Sequence, residues 1–136
     1  EHRIHCEMAT GNTLVTLIGA GAKPEVDKLI EALTKLPTRD LPTDNLTTLP
    51  KPGARIMSVR DAYFGGTEVV PADKAVGRIS ADLIAPYPPG VAVVAPGELL
   101  TQQIVEGLSA SRTAGVRIAY ATDSTLNSYR VVKQTS

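Results

Sequence analysis

The sequence predicts an α+β fold with mixed α/β character, because short strand patterns and amphipathic helix patterns alternate along its 136 residues. Two apolar segments, residues 3–8 and 13–19, flank the turn Thr10-Gly11-Asn12 and are expected to pair antiparallel. A helix follows from Pro24, where apolar residues recur at helical spacing: Val26, Leu29, Ile30 and Leu33. These elements predict a strand-strand-helix unit over residues 1–37.

A second set of elements is predicted after a segment rich in Pro, Thr, Asp and Asn, which we interpret as a linker over residues 38–55. Thr101 is a suitable N-cap for a helix that carries Ile104, Val105 and Leu108 and ends before Gly115. The other predicted elements, all within a domain spanning 56–136, are a helix at 56–64, a helical turn at 72–76, and strands at 67–70, 79–85, 91–95, 116–120 and 129–132. Residues 122–128 are expected to be a loop that closes a hairpin between the last two strands.

The composition excludes several function classes. Lys plus Arg equals Asp plus Glu at 14 each, without blocks of like charge, so neither nucleic acid nor an anionic membrane is an expected partner. The single cysteine excludes an internal disulfide and a cysteine metal cluster, and no metal site is expected. No apolar run approaches membrane-spanning length, so we expect a soluble cytoplasmic protein. The chain begins at Glu1 with a strand pattern, which we interpret as part of a larger polypeptide.

The most specific motif is Pro86-Tyr87-Pro88-Pro89-Gly90, whose prolines fix φ and whose glycine permits a turn. It is followed by Pro96-Gly97-Glu98, and preceded by Arg60-Asp61-Ala62-Tyr63-Phe64. This combination resembles the C-terminal domain of the ornithine/lysine/arginine decarboxylases, which are pyridoxal-phosphate enzymes of the aspartate-aminotransferase fold. Residues 3–8 and the helix after them resemble the end of the small domain that precedes this module. Ala92 departs from the pattern, since family members usually carry a proline shortly after the turn.

The resemblance implies a part of a decarboxylase that acts on a basic amino acid, in polyamine synthesis or acid resistance, within a homo-oligomer built of dimers. Glu7 would contact the distal amino or guanidino group of the substrate; otherwise it is an ordinary solvated glutamate at a strand end. Tyr87, Pro88 and Gly90 would line the mouth of the active-site channel, or else lock a domain corner. The family presents its cofactor lysine as Ser-x-His-Lys, which the chain lacks, so this part is expected to be inactive alone and to bind no cofactor.

Two other classes of protein remain open. One is a stand-alone, non-catalytic module that binds a small basic ligand or a protein partner. The other is an aminotransferase small domain, which should lack the Tyr-Pro-Pro-Gly motif and normally offers an arginine to the substrate carboxylate. The presence of the motif argues against this second class. We assign no role to His2, His5 or Cys6, and we interpret residues 19–22 as a plain strand-to-helix turn, because the phosphate-loop lysine and the dinucleotide fingerprint are both missing.

Overall fold

The computed structural model describes residues 4–9, 13–37, 49–87 and 89–134. The chain forms two compact units, Glu1–Asn45 and Leu46–Ser136. Each unit combines helix with short antiparallel strands, which confirms the predicted mixed α+β class.

The first unit contains strands β1 (Met8–Ala9) and β2 (Leu14–Val15) and helix α1 (Val26–Thr34). The strands pair antiparallel, as predicted, with Met8 opposite Val15, but they are far shorter than the predicted 3–8 and 13–19. The turn at residues 10–12 lies outside the described residues. The small unit therefore has little sheet to support its helix.

Helix α1 contains the predicted apolar residues but begins at Val26, two residues after the predicted Pro24, and it buries none of its residues. Val26, Ile30 and Leu33 are all exposed, although their spacing places them along one stripe of the helix. The helix also carries two exposed ion pairs between neighbouring turns. Glu25 pairs with Lys28 at 3.1 Å, and Glu31 pairs with Lys35 at 2.6 Å. Because exposed pairs of this kind contribute little, α1 has only weak support within its unit.

The second unit contains α2 (Val59–Phe64), β3 (Thr67–Pro71), a 3-10 helix (Ala72–Lys74), β4 (Ala85–Tyr87), α3 (Gln102–Thr113), β5 (Arg117–Ala119) and β6 (Ser128–Val132). The Ser58 hydroxyl accepts a hydrogen bond from the Asp61 N–H at 3.0 Å, so α2 begins later than the predicted residue 56. The predicted cap at Thr101 is confirmed, because its hydroxyl accepts from the Ile104 N–H at 3.3 Å.

Antiparallel pairs organise the second unit. β3 pairs with β6, and β4 pairs with β5. Isolated β-bridges add further contacts. They join Ser80 to Val131 of β6, Ile79 to Leu99, and Arg55 to Glu98. Residues at the end of the predicted 38–55 linker belong to this arrangement, since the Ala54 carbonyl accepts from the Leu99 N–H at 2.9 Å.

Three strand predictions in this unit were wrong. Residues 79–85 do not form one strand, because the Ser80 hydroxyl bonds both the N–H and the carbonyl of Asp82 and interrupts the ladder. Residues 91–95 contribute only a bridge at Val94. The predicted hairpin between the last two strands is absent, since β5 pairs with β4 and β6 pairs with β3. Asp123 binds residues 125 and 128 and turns the chain between those two strands.

The core of the second unit lies between α3 and the strands. Ile104 and Leu108 of α3 have no exposed surface, and Leu100, just before the helix, is equally buried. The core cluster comprises Val70, Ala75, Ile84, Val93, Val94, Leu100, Ile104, Leu108, Ile118, Leu126, Tyr129 and Val131. This core fixes the base of the proline-rich loop that follows β4.

Candidate functional site

The loop after β4 carries the most specific motif of the chain and is closed at its base. The Ile84 N–H donates to the Val94 carbonyl at 2.9 Å, and the Val93 N–H returns a bond to the Ile84 carbonyl at 2.9 Å. Ile84, Val93 and Val94 are also buried in the core. The intervening loop is therefore anchored at both ends by hydrogen bonds and by packing.

Tyr87 and Gly90 are brought together at the tip of this loop. Gly90 has a φ of +88°, and its N–H donates to the Pro86 carbonyl at 3.0 Å. A Cβ atom at Gly90 would lie 3.1 Å from Cδ2 of the Tyr87 ring, so the ring packs directly over the glycine. Any other residue there would meet both a strained backbone and this ring. Pro88 lies outside the described residues.

Asp82 forms hydrogen bonds at the end of the β4–β5 pair that lies away from the Tyr87 loop. Its carboxylate accepts from the Thr122 N–H at 2.7 Å and from the Thr122 hydroxyl at 2.9 Å. Since Ala85 lies opposite Ala119, this contact continues the register of the two strands beyond their ends. The tie fixes the direction of β4 and so helps to position Tyr87 at its far end.

Arg130 of β6 is the counterion of Asp82. Its Nη1 lies 3.3 Å from the Asp82 carboxylate and donates to the Ala81 carbonyl at 2.9 Å. Its Nη2 donates to the Tyr63 carbonyl at 2.8 Å, and the guanidinium lies 5.2 Å from the centre of the Tyr63 ring. The Asp82 side chain is 7% exposed and that of Arg130 is 23% exposed, so the pair is largely shielded from solvent. We call Asp82, Thr122 and Arg130 the clamp.

Asp123 organises the loop between β5 and β6. Its carboxylate accepts from the N–H and hydroxyl groups of both Thr125 and Ser128. These bonds, from Thr125 first, lower the pKa of Asp123 to about 2. Burial, and then the nearby charge of Asp123, raise the pKa of Tyr129 to about 12. Both groups therefore hold one protonation state across the neutral range.

Glu7 belongs to the first unit, and its side chain is exposed. Its backbone N–H donates to the Val15 carbonyl at 2.9 Å, which holds the residue beside the β1–β2 pair. A cavity of about 240 Å³ in this unit is lined by His5, Thr16, Glu25 and Lys28 among others, but not by Glu7. The substrate-binding role of Glu7 stays a prediction.

The described ranges contain neither a cluster of metal-ligating side chains nor a membrane-spanning helix. Within them, no group of three or more His, Cys, Asp or Glu side chains is placed to hold a metal ion. None of the helices described has the length and apolar character that crossing a bilayer requires. The candidate functional residues are Tyr87 and Gly90 in the second unit, where the clamp supports β4, and, separately, Glu7 in the first unit.

The clamp was missed by the sequence interpretation, although a signal for it exists. Asp82 lies within the apolar stretch from Ile79 to Ala85, and a carboxylate in such a stretch needs a charged or hydrogen-bonding partner when it is buried. The sequence does not indicate that this partner is Arg130 or Thr122, because they follow 48 and 40 residues later.

Comparison with known proteins identifies arginine and lysine decarboxylases among the relatives of this chain. Residues 44–118 match the family model of the Orn/Lys/Arg decarboxylase C-terminal domain. The chain is 32% identical to the arginine decarboxylase of Bacillus subtilis over 129 residues, which cover 90% of this chain and 26% of that protein. It is 56% identical to the inducible lysine decarboxylase of Escherichia coli K12 over 39 residues, or 29% of this chain and 6% of that protein.

One solved structure with a similar backbone is the constitutive lysine decarboxylase of Escherichia coli, with 30% sequence identity and a TM-score of 0.48. The match covers 64% of this chain and 14% of that chain. The chain thus spans about a quarter of the length of the Bacillus subtilis relative and less of the others.

Proposed function

The chain belongs to the Orn/Lys/Arg decarboxylase family, and we propose that it is part of an enzyme that removes carbon dioxide from a basic amino acid. The observation that carries the proposal is the match to arginine decarboxylase across 90% of the chain, which includes both units. The family match over residues 44–118 supports it independently for the second unit.

In this proposal Glu7 selects the substrate by its distal positive charge. A carboxylate accepts a charge-assisted hydrogen bond from an ammonium or guanidinium group, and this bond is stronger than one between neutral partners. The exposed position of Glu7, with its backbone held against Val15, supports the role because a ligand can reach the side chain. Arginine, lysine and ornithine all carry a suitable cation.

The proline-rich loop supplies part of the channel wall. Tyr87 stacked on Gly90 gives a stiff surface with an aromatic ring, and the anchored base at Ile84 and Val94 limits its movement. We assign Pro88 to the same wall on the family motif. A rigid wall stabilises a bound substrate without spending binding energy on ordering the loop.

Pyridoxal phosphate, the cofactor of this family, supplies an electron sink for the carbon that loses carbon dioxide. A lysine that holds such a cofactor needs a desolvated pocket that lowers its pKa. The lysines of this chain do not fit that need, because all six are exposed: Lys23, Lys28, Lys35, Lys51, Lys74 and Lys133. We therefore assign the cofactor to other parts of the enzyme, and the chain alone is expected to be inactive.

The same proposal places the enzyme in the cytoplasm, as a homo-oligomer, in polyamine synthesis or acid resistance. The matches to both arginine and lysine decarboxylases leave the choice of substrate to experiment. Because the chain is neutral overall, with 14 basic and 14 acidic residues, substrate attraction depends on local carboxylates such as Glu7.

The test is carbon dioxide release from arginine, lysine and ornithine by the product of the complete gene and by the 136-residue chain. We expect the complete product to be active and Glu7→Ala to lower kcat/KM about 10-fold or more, mainly through KM, as loss of a charged hydrogen bond predicts. Glu31→Ala removes another exposed carboxylate of the same unit and should leave activity unchanged.

The outcomes separate the parts of the proposal. An inactive complete product contradicts the decarboxylase assignment. An active product that tolerates Glu7→Ala contradicts only the role of Glu7. A gene that encodes only this chain would favour the stand-alone binding module instead.

A further inference from the structure

Asp82 and Thr122 keep the register of the β4–β5 pair, although neither residue belongs to a strand. Ala85 lies opposite Ala119, and three residues back along one strand and three forward along the other bring Asp82 opposite Thr122. Both oxygens of the Asp82 carboxylate bond this one residue, Oδ2 accepting from its N–H and Oδ1 from its hydroxyl. A side chain therefore takes the place of ladder hydrogen bonds at this end of the pair.

The ladder between β4 and β5 gives the two strands little support of its own. It pairs three residues of each strand, and Pro86, at the centre of β4, has no N–H to donate. A short ladder allows the strands to pivot unless a second point fixes their direction. Asp82 supplies that point, because Arg130 also joins it to β6. The direction of β4 in turn sets the position of Tyr87, its last residue.

The backbone between β5 and Thr122 is strained. Tyr120 has a φ of +67°, in the left-handed region that bulky residues rarely adopt. Tyr120 is 71% exposed, so packing of its ring does little to hold this conformation. Strain of this kind persists only where the surrounding structure imposes it, and it is concentrated at functional positions. The bonds from Thr122 to Asp82 hold the chain just beyond Tyr120 and thus impose the turn.

We infer that Thr122 and Asp82 are positioning residues for the substrate channel, which act through Tyr87 without touching the substrate. This inference rests on the proposed function, namely on Tyr87 as part of the channel wall. Loss of the Thr122 hydroxyl removes one of the two bonds to Asp82 and lets β4 shift relative to β5. A displaced wall contacts a bound basic amino acid less well, so KM rises while kcat changes little.

Thr122→Val in the complete gene product tests the inference, because valine keeps the shape and the backbone N–H but lacks the hydroxyl. It is milder than Asp82→Ala, which leaves Arg130 without its counterion. We expect KM to rise about 5-fold, with kcat within about 2-fold of wild type. Thr122→Ser restores a hydroxyl and should return KM to the wild-type value. Thr125→Val, the matched control, removes a hydroxyl that bonds Asp123 in the same loop and should leave KM unchanged.

A double-mutant cycle shows whether Thr122 acts through Tyr87. Tyr87→Leu removes the ring, and on this background Thr122→Val should change KM by less than about 2-fold, because the group that it positions is absent. A residue with a purely structural role would give the same change in KM with and without the ring. That result would overturn the inference.

NMR spectroscopy of the 136-residue chain gives a readout that does not depend on catalysis. Tyr87 lies directly opposite Arg117, and opposed residues have Cβ atoms close enough for side-chain nuclear Overhauser effects. We expect Thr122→Val to reduce the intensity of the Tyr87–Arg117 cross-peaks by about half, because their intensity falls steeply with distance. Thr125→Val should leave these cross-peaks unchanged, and circular dichroism checks that both variants stay folded.

The two readouts separate this inference from the proposed function. An inactive complete product rejects the proposed function, and the Tyr87–Arg117 cross-peaks then decide whether Thr122 positions Tyr87. An active enzyme whose KM is unaffected by Thr122→Val overturns the inference and leaves the decarboxylase assignment intact. Cross-peaks that keep their full intensity in Thr122→Val overturn it as well.

Discussion

Helices α1 and α3 carry apolar residues at the same helical spacing, but only α3 uses them to form a core. Ile104 and Leu108 of α3 are fully buried, whereas Ile30 and Leu33 of α1 are 54% and 43% exposed. The difference lies in what surrounds each helix. α3 faces strands of the second unit, while the first unit offers two strands of two residues each.

This comparison shows where the stability of the chain resides. Full burial of a leucine or isoleucine side chain contributes about 1.5–3 kcal/mol relative to leaving it exposed. An isolated helix of nine residues is marginal in water without such packing. The second unit therefore carries most of the folding free energy.

The largest effect is expected from removing core volume in α3. Leu108→Ala should lower the free energy of unfolding by about 2–5 kcal/mol, because it deletes fully buried methyl groups and leaves a cavity. Leu33→Ala in α1, the matched control, should cost less than about 1 kcal/mol because the residue is already 43% exposed and its loss leaves no enclosed cavity. Urea unfolding followed by circular dichroism measures both, and equal losses would contradict the comparison.

Disruption of the clamp should have the next largest effect on the free energy of unfolding. Asp82→Ala leaves Arg130 without its counterion and the Thr122 N–H without its acceptor, and we expect a loss of about 2–3 kcal/mol after allowing for the partial exposure of Arg130. Glu31→Ala breaks the exposed pair with Lys35 and should change stability by less than about 0.5 kcal/mol.

A double-mutant cycle refines that result. If Asp82 and Arg130 act as a pair, the losses from Asp82→Ala and Arg130→Ala will not add. Additive losses would show that Asp82 acts mainly through Thr122.

Sequence reasoning succeeded where local physical chemistry decides the structure. The Thr101 cap and helix α1 follow from neighbours a few residues apart, and the antiparallel pairing of β1 with β2 follows from a short connection. The Pro-Gly motif likewise indicated a stiff turn, and Gly90 adopts the positive φ that such a turn permits. The family resemblance, now shown, came from the same motif.

Sequence reasoning failed where contacts between residues distant in sequence decide the structure. The apolar run at residues 79–85 matches a strand pattern, but Ser80 and Asp82 redirect the backbone toward Thr122 and Arg130. The choice of partner for β6 is similar, because pairing with β3 joins residues about 60 positions apart. The roles of Glu7, Tyr87, Pro88 and Gly90 stay predictions, since backbone placement alone does not test them.

The smallest effect should come from acid titration of Asp123. Its pKa is about 2 in the folded chain against 3.8 in the unfolded chain, because the Thr125 and Ser128 groups stabilise the carboxylate. A depressed folded pKa contributes stability that is complete above the unfolded pKa and is lost as pH falls through the folded pKa. The stability that Asp123 contributes to the second unit is therefore lost as the pH falls from about 4 to about 2.

Asp123→Asn should flatten the dependence of the urea midpoint on pH within that window and lower the midpoint at neutral pH, because the amide cannot accept all of the bonds at once. Titration of Tyr129 by tyrosinate absorbance gives a second readout. Since burial is the main cause of its raised pKa and the charge of Asp123 the lesser one, the variant should move the Tyr129 pKa only slightly down from about 12. An unchanged acid profile would place the acid sensitivity of the second unit in carboxylates other than Asp123.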